Sequence, residues 1–214
     1  MKNHIKYLFG FSLLVTQLCK AQSDTINYDA LSLQDLMNIK ISVASIKELT
    51  PRESPGVISY ISAEEIRESG ANDLMDVLRM VPGFDFAMDV EGVVGLGVRG
   101  NWAHEGKVLM LIDGQEMNEG LYSSLQFGNH YSVENINRIE IIRGPGSAIY
   151  GGNAEYAVIN IITNDAKDLH GIKFSGLYGQ TAKSFAHRGL NIQAGEEFND
   201  VSISLSATDR KSVV

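Results

Sequence analysis

The hydrophobic pattern predicts an α+β fold between residues 50 and 165. Short apolar or alternating runs, which favour β-strands, are separated by turns that contain glycine, proline or asparagine. Asp113-Gly114 is a strong turn signal, and Ser132 should cap a single helical turn at residues 133–137. We expect packed strands at residues 57–61, 84–88, 107–112, 138–143 and 157–162.

Two helices are predicted near the start of this region. Ser62 and Glu65 have the spacing of a capping box, in which each side chain accepts from the other residue's main-chain amide. This helix should end near Gly70, and Asn72 or Asp73 can cap a second helix. The second helix has an apolar stripe at i, i+3, i+4 and i+7, formed by Leu74, Val77, Leu78 and Val81.

Residues 135–163 predict two strands joined by a glycine-rich turn. Charged and apolar residues alternate in the first strand, so one face should be buried while the other carries Arg138 and Glu140. Residues 157–162 are nearly all apolar, which indicates a strand buried on both faces. A phosphate-binding loop does not fit, because no Lys-Ser or Lys-Thr follows the glycines and no helix pattern opens after them.

The pattern changes after a polar linker at residues 164–170. Residues 171–180, 188–194 and 201–208 show loose alternation of apolar with polar or small residues. Segments of about ten such residues are typical of transmembrane β-strands. A small soluble β-meander has the same pattern, so both interpretations remain open here.

The first 21 residues are predicted to be a secretory signal peptide. Lys2 and Lys6 precede a short apolar stretch at residues 7–15, and small residues surround a cleavage site after Ala21. Cys19 is the only cysteine of the chain. After cleavage no cysteine remains, so neither a disulfide framework nor a thiol catalyst is available.

Composition and charge exclude several classes of function. Of the 214 residues 44% are hydrophobic, enough to form a packed core, and the formal net charge of −8 argues against nucleic-acid binding. The five histidines lack metal-ligand spacing, and neither a Ser-His-Asp set nor an HExxH pattern is present. We expect no enzymatic activity, no metal and no cofactor.

The stretch from 135 to 163 resembles the signature of the plug domain of TonB-dependent outer-membrane receptors. An Ile-Glu-Ile-Ile-Arg-Gly-Pro strand and turn is followed by a Tyr-Gly turn and a Val-Ile-Asn-Ile-Ile-Thr strand. Ala157 stands where the family usually has glycine, which would strain any backbone angle that needs glycine. The signature residues are Gly144, Pro145, Gly146, Tyr150, Gly151, Asn153 and Asn160.

The resemblance implies four segments. These are the signal peptide (1–21), a flexible periplasmic segment with a TonB box (22–49), the plug (50–165), and about three antiparallel strands of an incomplete transmembrane β-barrel (166–214). A plugged transporter barrel has about 22 strands, so the chain is expected to be a receptor's N-terminal fragment, not competent for transport. The favoured TonB-box candidate is Ile41, Ser42, Val43 and Ala44; the other is Asp24-Thr25-Ile26.

The function implied by the resemblance is energy-coupled uptake of a scarce nutrient, such as an iron-siderophore or cobalamin, at the cell outer membrane. The implied partners are that small molecule and periplasmic TonB, which would bind by strand addition. The alternative is a soluble periplasmic binding or adaptor module with a plug-like fold.

Four residues have roles implied by the resemblance. Arg99 and Arg143 match the plug arginines that engage barrel glutamates, and without those partners they should be solvated or paired locally. Tyr122 and Phe127, in the loop at residues 115–130, are candidates for ligand contact. An ordinary loop with partly packed aromatic residues is the alternative for this loop.

Overall fold

A computed structural model describes residues 57–212, apart from positions 91, 129, 170, 182–184 and 200. The predicted signal peptide, both TonB-box candidates and the rest of the 22–49 segment lie outside the described residues.

The described residues form strands β1–β11, short helices α1–α4 and one 3₁₀ turn. The helices α1–α4 are Ala63–Ser69, Leu74–Leu78, Ser147–Tyr150 and Ala166–Leu169, and the 3₁₀ turn is Val133–Asn135. The strands β1–β11 are, in chain order, Ile58–Ser62, Phe84–Met88, Val94–Val98, Asn101–Trp102, Val108–Ile112, Gln115–Glu116, Ile136–Ile142, Ala157–Thr163, Gly171–Gln180, Phe185–Phe198 and Val201–Ser212.

A five-stranded mixed sheet, the central sheet, organises residues 57–163. Its spatial order is β1-β7-β8-β5-β6. Strand β7 pairs antiparallel with β1 and β8, whereas β8 runs parallel to β5. The register places Ile139 between Ile61 and Ile161, and all three side chains are buried. This confirms the predicted α+β class and four of the five predicted strands, and the fifth, at residues 84–88, lies in the second sheet.

Strand β7 is buried on both faces, so the prediction that one face carries solvated charges is wrong. Ile139 and Ile141 lie in the main core, while Ile142 belongs to a smaller cluster on the opposite face. Glu140, on that opposite face, has no exposed surface. The prediction failed because Tyr150 of α3 and Ala154 of the loop that follows it cover the face that alternation had assigned to solvent.

The predicted helix signals are confirmed for α1 and α2. Ser62 and Glu65 form the complete capping box, and α1 ends at Gly70, whose φ of 68° is left-handed. Asp73 caps α2 by accepting from the Asp76 amide. The four stripe residues of α2 and its C-terminal extension are all buried. Ser132 differs from the prediction, because its hydroxyl makes no capping bond to the 3₁₀ turn that follows it.

A second sheet, in the order β2-β3-β4, packs beside the central sheet. Strand β2 was predicted, but β3 was missed because its glycines dilute the alternating pattern. The ring of Trp102 lies over Gly95, where a Cβ would be 2.6 Å from Cζ2, so a larger residue would displace the ring. The β5–β6 turn is confirmed at Asp113 and Gly114, whose φ angles of 49° and 80° suit a two-residue hairpin.

Strands β9, β10 and β11 form an antiparallel three-stranded sheet, which we call the meander. All three predicted segments are strands, and β10 and β11 extend beyond their predicted bounds. The predicted polar linker before the meander contains α4, which packs against β10. No helix within the described part of the chain is long and apolar enough to cross a membrane.

In β10 the apolar side chains are exposed and the polar side chains between them are buried, the reverse of the pattern in a soluble sheet. Leu190 and Ile192 on β10 are 52% and 49% exposed, whereas Asn191 and Gln193 between and beside them are only 3% and 1% exposed. The amide side chains therefore point toward residues 134–135, at the start of β7, and the aliphatic ones point away from them. The remaining exposed large apolar residues of the meander include Ile172, Phe174, Leu177, Tyr178, Val201, Ile203 and Leu205.

Replacing one buried side chain of β7 with alanine should show how much the burial of this strand contributes to stability. The variant Ile139→Ala should lower the free energy of unfolding by about 2–5 kcal/mol, because it removes a fully buried side chain and leaves a cavity. The exposed Ile149 provides the matched control, for which alanine should change stability by about 0.5 kcal/mol or less. Urea unfolding measures both values, and equal effects would contradict the central position of β7.

Candidate functional site

The glycine-rich connection between β7 and β8 is a closed loop fastened at one carbonyl. The main-chain N–H of Gly146 donates to the carbonyl oxygen of Ala154 at 2.8 Å, and Oγ of Ser147 donates to the same oxygen at 3.0 Å. Between these contacts lies the single-turn α3, a helix that the sequence pattern did not predict. The loop is therefore a rigid structural feature with both ends held by the central sheet.

Gly146 and Asn153, two residues of the predicted signature, fit specific local requirements of the loop. At Gly146 a Cβ would lie 2.5 Å from Cγ2 of Val158, so no other residue fits without displacement. Asn153 has a left-handed φ of 63°, which asparagine tolerates better than most residues, and its Nδ2 donates to Oε1 of Glu116 at 2.9 Å. Ala157, by contrast, lies within β8 without a positive φ, so no glycine is needed there.

A buried polar row crosses the sheet beneath this loop. Glu140 lies opposite Tyr60 on β1 and opposite Asn160 on β8. Nε of Arg138 donates to Oε1 of Glu140 at 2.9 Å, which compensates the buried carboxylate. Burial, with a smaller contribution from the charge of Glu140, raises the pKa of Tyr150 above its ordinary value. Sequence reasoning missed this row because it placed Glu140 in solvent.

The two arginines singled out by sequence lie in one patch, which we call the arginine patch. Nη2 of Arg99 donates to the carbonyl oxygen of Arg143 at 2.9 Å, and Nη1 of Arg143 donates to that of Pro82 at 3.2 Å. The N–H of Arg99 donates to the carbonyl oxygen of Gly83 at 2.7 Å. Among the described residues, neither guanidinium forms an ion pair with a carboxylate.

The backbone at the arginine patch is under local constraint. Arg99 has a φ of 52°, an angle that costs a non-glycine residue about 1 kcal/mol or more. Nε of Arg143 is buried and has no hydrogen-bond partner among the described residues. A planar guanidinium with unused donors is suited to bidentate binding of a carboxylate. The patch can therefore accept an anionic group from outside this part of the chain.

The loop at residues 117–130 places its two candidate aromatic residues differently. Tyr122 is exposed, whereas Phe127 packs edge-on against Phe86 with ring centroids 5.0 Å apart. The packing of Phe127 favours a structural role, as the ordinary-loop alternative expects. Asn118, which sequence reasoning missed, holds the loop by accepting from the N–H of Met110 and donating to two main-chain carbonyls, all at 2.9 Å.

One ion pair, between Lys107 and Glu155, lies near the glycine-rich loop. Nζ of Lys107 lies 2.8 Å from Oε2 of Glu155, and this hydrogen bond raises the pKa of the lysine. Within the described residues, no group of three or more histidine, cysteine, aspartate or glutamate side chains is placed to hold a metal ion.

Residues 50–158 match a family model described as the TonB-dependent receptor plug domain. Among curated proteins, the chain is 36% identical over 153 residues to the vitamin B12 transporter of Vibrio vulnificus (strain CMCP6), a match covering 64% of this chain and 24% of that protein. It is 33% identical over 149 residues to a ferric enterobactin receptor of Pseudomonas aeruginosa, covering 60% and 19% of the two chains. The chain thus spans about a quarter or less of the length of these relatives.

Solved structures share the fold. The ferripyoverdine receptor of the Pseudomonas aeruginosa outer membrane superposes with a TM-score of 0.58, covering 80% of this chain and 22% of that chain at 17% identity. The siderophore receptor PirA from Pseudomonas aeruginosa gives a TM-score of 0.53 at 25% identity, covering 75% of this chain and 29% of that chain.

The close approach at Gly146 generates a testable prediction. Gly146→Ala should lower the free energy of unfolding by about 1–3 kcal/mol, because the new methyl group overlaps Val158 and forces the loop away from the sheet. Gly152→Ala is the matched control in the same loop, since a Cβ there has open space and the position has no positive φ. Chemical denaturation compares the two variants, and a stable Gly146→Ala protein would contradict the tight loop geometry.

Proposed function

Because this chain belongs to the TonB-dependent receptor plug-domain family, we propose that it acts as the plug and the first wall strands of an outer-membrane receptor for energy-coupled nutrient uptake. In this proposal residues 50–165 are the plug, and residues 166–214 are the start of the surrounding β-barrel wall. An N-terminal signal peptide at residues 1–21 directs export.

The observation that carries this proposal is the polarity of β10. A sheet that buries Asn191 and Gln193 while exposing Leu190 and Ile192 is unfavourable in water, because it leaves a continuous apolar surface solvated. In a bilayer the same alternation is favourable, since apolar residues face lipid and polar residues face the interior. A soluble adaptor module, the alternative, would keep this apolar face in water, and for that reason we favour the receptor.

The proposed cargo is a small nutrient of the kind named for the relatives, an iron-siderophore or a cobalamin. The similarity to a vitamin B12 transporter and to a ferric enterobactin receptor supports this class of cargo. The exposed Tyr122 is the loop residue we propose for contact with the nutrient. Phe127 supports the loop from below by packing on Phe86.

The arginine patch is the proposed lock between plug and barrel. Arg99 and Arg143 lie side by side, and neither has a carboxylate partner within the described residues. Barrel glutamates reaching this patch would bind it through paired N–H···O bonds, which are charge-assisted and directional. The lock therefore holds the plug until force or ligand alters the geometry.

Energy coupling is proposed to occur through strand addition by the periplasmic protein TonB. A short alternating segment ahead of the plug offers main-chain N–H and C=O groups to the edge of a partner sheet. Residues 41–44 are the favoured box, and residues 24–26 are the second candidate.

The lipid-facing role of the meander predicts a membrane-partition result. The full chain should float with liposomes of bacterial polar lipid, and Ile192→Arg should reduce the floating fraction by roughly tenfold, because an arginine on the lipid face costs about 2 kcal/mol or more. The control Lys211→Arg places an arginine on β11 at a position that is already charged and exposed. Equal flotation of all three proteins would contradict a lipid-facing meander.

Coupling through residues 41–44 predicts a specific binding defect. Val43→Pro should weaken binding of the purified periplasmic domain of TonB by about tenfold or more, because proline removes a main-chain donor that strand addition uses. Ile26→Pro should leave the affinity unchanged. Isothermal titration calorimetry measures both, and the opposite order of effects would move the TonB box to residues 24–26.

A further inference from the structure

The inner face of β10 is joined to the plug by a continuous chain of uncharged side-chain amides. Nδ2 of Asn164 donates to Oε1 of Gln193 at 2.9 Å, and Nε2 of Gln193 donates to Oδ1 of Asn191 at 2.9 Å. Nδ2 of Asn191 then donates to Oδ1 of Asn135 at 2.7 Å and to Oγ1 of Thr208 at 2.6 Å. We call this network, together with Arg210, the amide seam.

Main-chain groups of the plug complete the network. Nε2 of Gln193 donates to the carbonyl oxygen of Glu134 at 2.8 Å, and Nδ2 of Asn164 donates to the same oxygen at 3.1 Å. The N–H of Asn164 donates to the carbonyl oxygen of Asn135 at 2.9 Å. Because both Asn191 and Gln193 use their donor and acceptor groups, the seam is a fully connected polar network.

Arg210 adds a second attachment from the neighbouring strand. Its Nη1 donates to the carbonyl oxygen of Tyr131 at 2.9 Å, and its Nη2 donates to that of Asn72. Both acceptors are main-chain carbonyls of the plug. One guanidinium on β11 thus connects the loop before α2 with the segment that leads into the 3₁₀ turn.

Close packing fixes the distance between wall and plug along this seam. A Cβ at Gly195 would lie 2.8 Å from Cα of Ala166 and 2.9 Å from Cβ of Leu169. The glycine therefore allows β10 to rest directly on α4. A cavity of about 250 Å³ beside the seam, lined in part by Ile66, Ser175 and Arg210, separates wall from plug farther along.

The amide seam and the arginine patch lie at opposite ends of β7. The seam holds residues 134 and 135, directly before the strand, whereas Arg143 directly follows it. Seven residues of strand separate the two by roughly 20 Å. The two attachments also differ in chemistry, since the seam consists mainly of neutral amides and the patch carries two full positive charges.

We propose that the amide seam formed by Asn191, Gln193 and Arg210 is a fixed attachment of the plug to the wall, and that the plug moves from its arginine end while this end stays closed. The proposal rests on the proposed receptor function. The acceptors in the seam are neutral, including the two carbonyl oxygens that Arg210 contacts, so its bonds are less sensitive to ionic strength than bonds between the arginine patch and carboxylates. A change in local charge therefore loosens the patch selectively and leaves the seam in place.

Hydrogen exchange on the full 214-residue chain in detergent micelles tests the attachment. Gln193→Leu should accelerate amide exchange in residues 131–136 and 164–169 by about tenfold, because its partners lose their bonds, while β5 and β8 remain protected. Arg210→Gln should accelerate exchange in residues 71–73 and 131–133. The matched controls are Gln180→Leu and Lys211→Gln, which change exposed residues of the same sheet.

Two outcomes would overturn the proposal. Unchanged exchange at residues 131–136 in both seam variants would show that the contacts hold nothing in place. Acceleration of the same residues in Arg99→Gln, or in the wild type at about 1 M salt, would show that the two ends of β7 are not independent.

Binding of TonB, measured on the same preparations, separates this result from the proposed function. A wild-type chain that does not bind TonB would count against the receptor function while leaving the exchange result valid. Normal TonB binding together with seam variants that change nothing would count against the seam alone.

Discussion

The fold depends on the burial of β7 on both of its faces. Ile139 and Ile141 fill the main core, while Ile142 and the fully buried Glu140 lie beneath the glycine-rich loop. A buried carboxylate is tolerated only with compensation, and the nearby Arg138 provides it at 2.9 Å. Strand β7 therefore positions the glycine-rich loop, the arginine patch and the amide seam, because each of them is attached to one of its ends or faces.

Two opposite solvent preferences meet at the junction of plug and meander. The plug follows the ordinary rule for soluble domains, with its apolar residues inside, whereas the meander exposes its apolar face and turns its amides inward. The inward amides meet hydrogen-bond partners on the plug, so the two parts satisfy each other without sharing a hydrophobic core. The junction is therefore held by directional hydrogen bonds, which fix the position of β10 on the plug.

Local signals in the sequence predicted much of the fold, and long-range contacts account for what they missed. The capping box of Ser62 and Glu65 and the stripe of α2 depend on neighbours a few residues apart, and both are confirmed. The burial of Glu140 depends on a loop that folds over the sheet, which no alternation pattern records. The seam joins residues up to 138 positions apart, as between Asn72 and Arg210, so spacing could not indicate it. The arginine patch was reached through family resemblance, since nothing in the local pattern brings Arg99 to Arg143.

Arg210 recognises the plug through main-chain oxygens alone. A carbonyl group is present whatever amino acid occupies the position, so substitutions at positions 72 and 131 leave the acceptors intact as long as the backbone keeps its path. The plug can therefore change its side chains at these two positions without losing its attachment to β11.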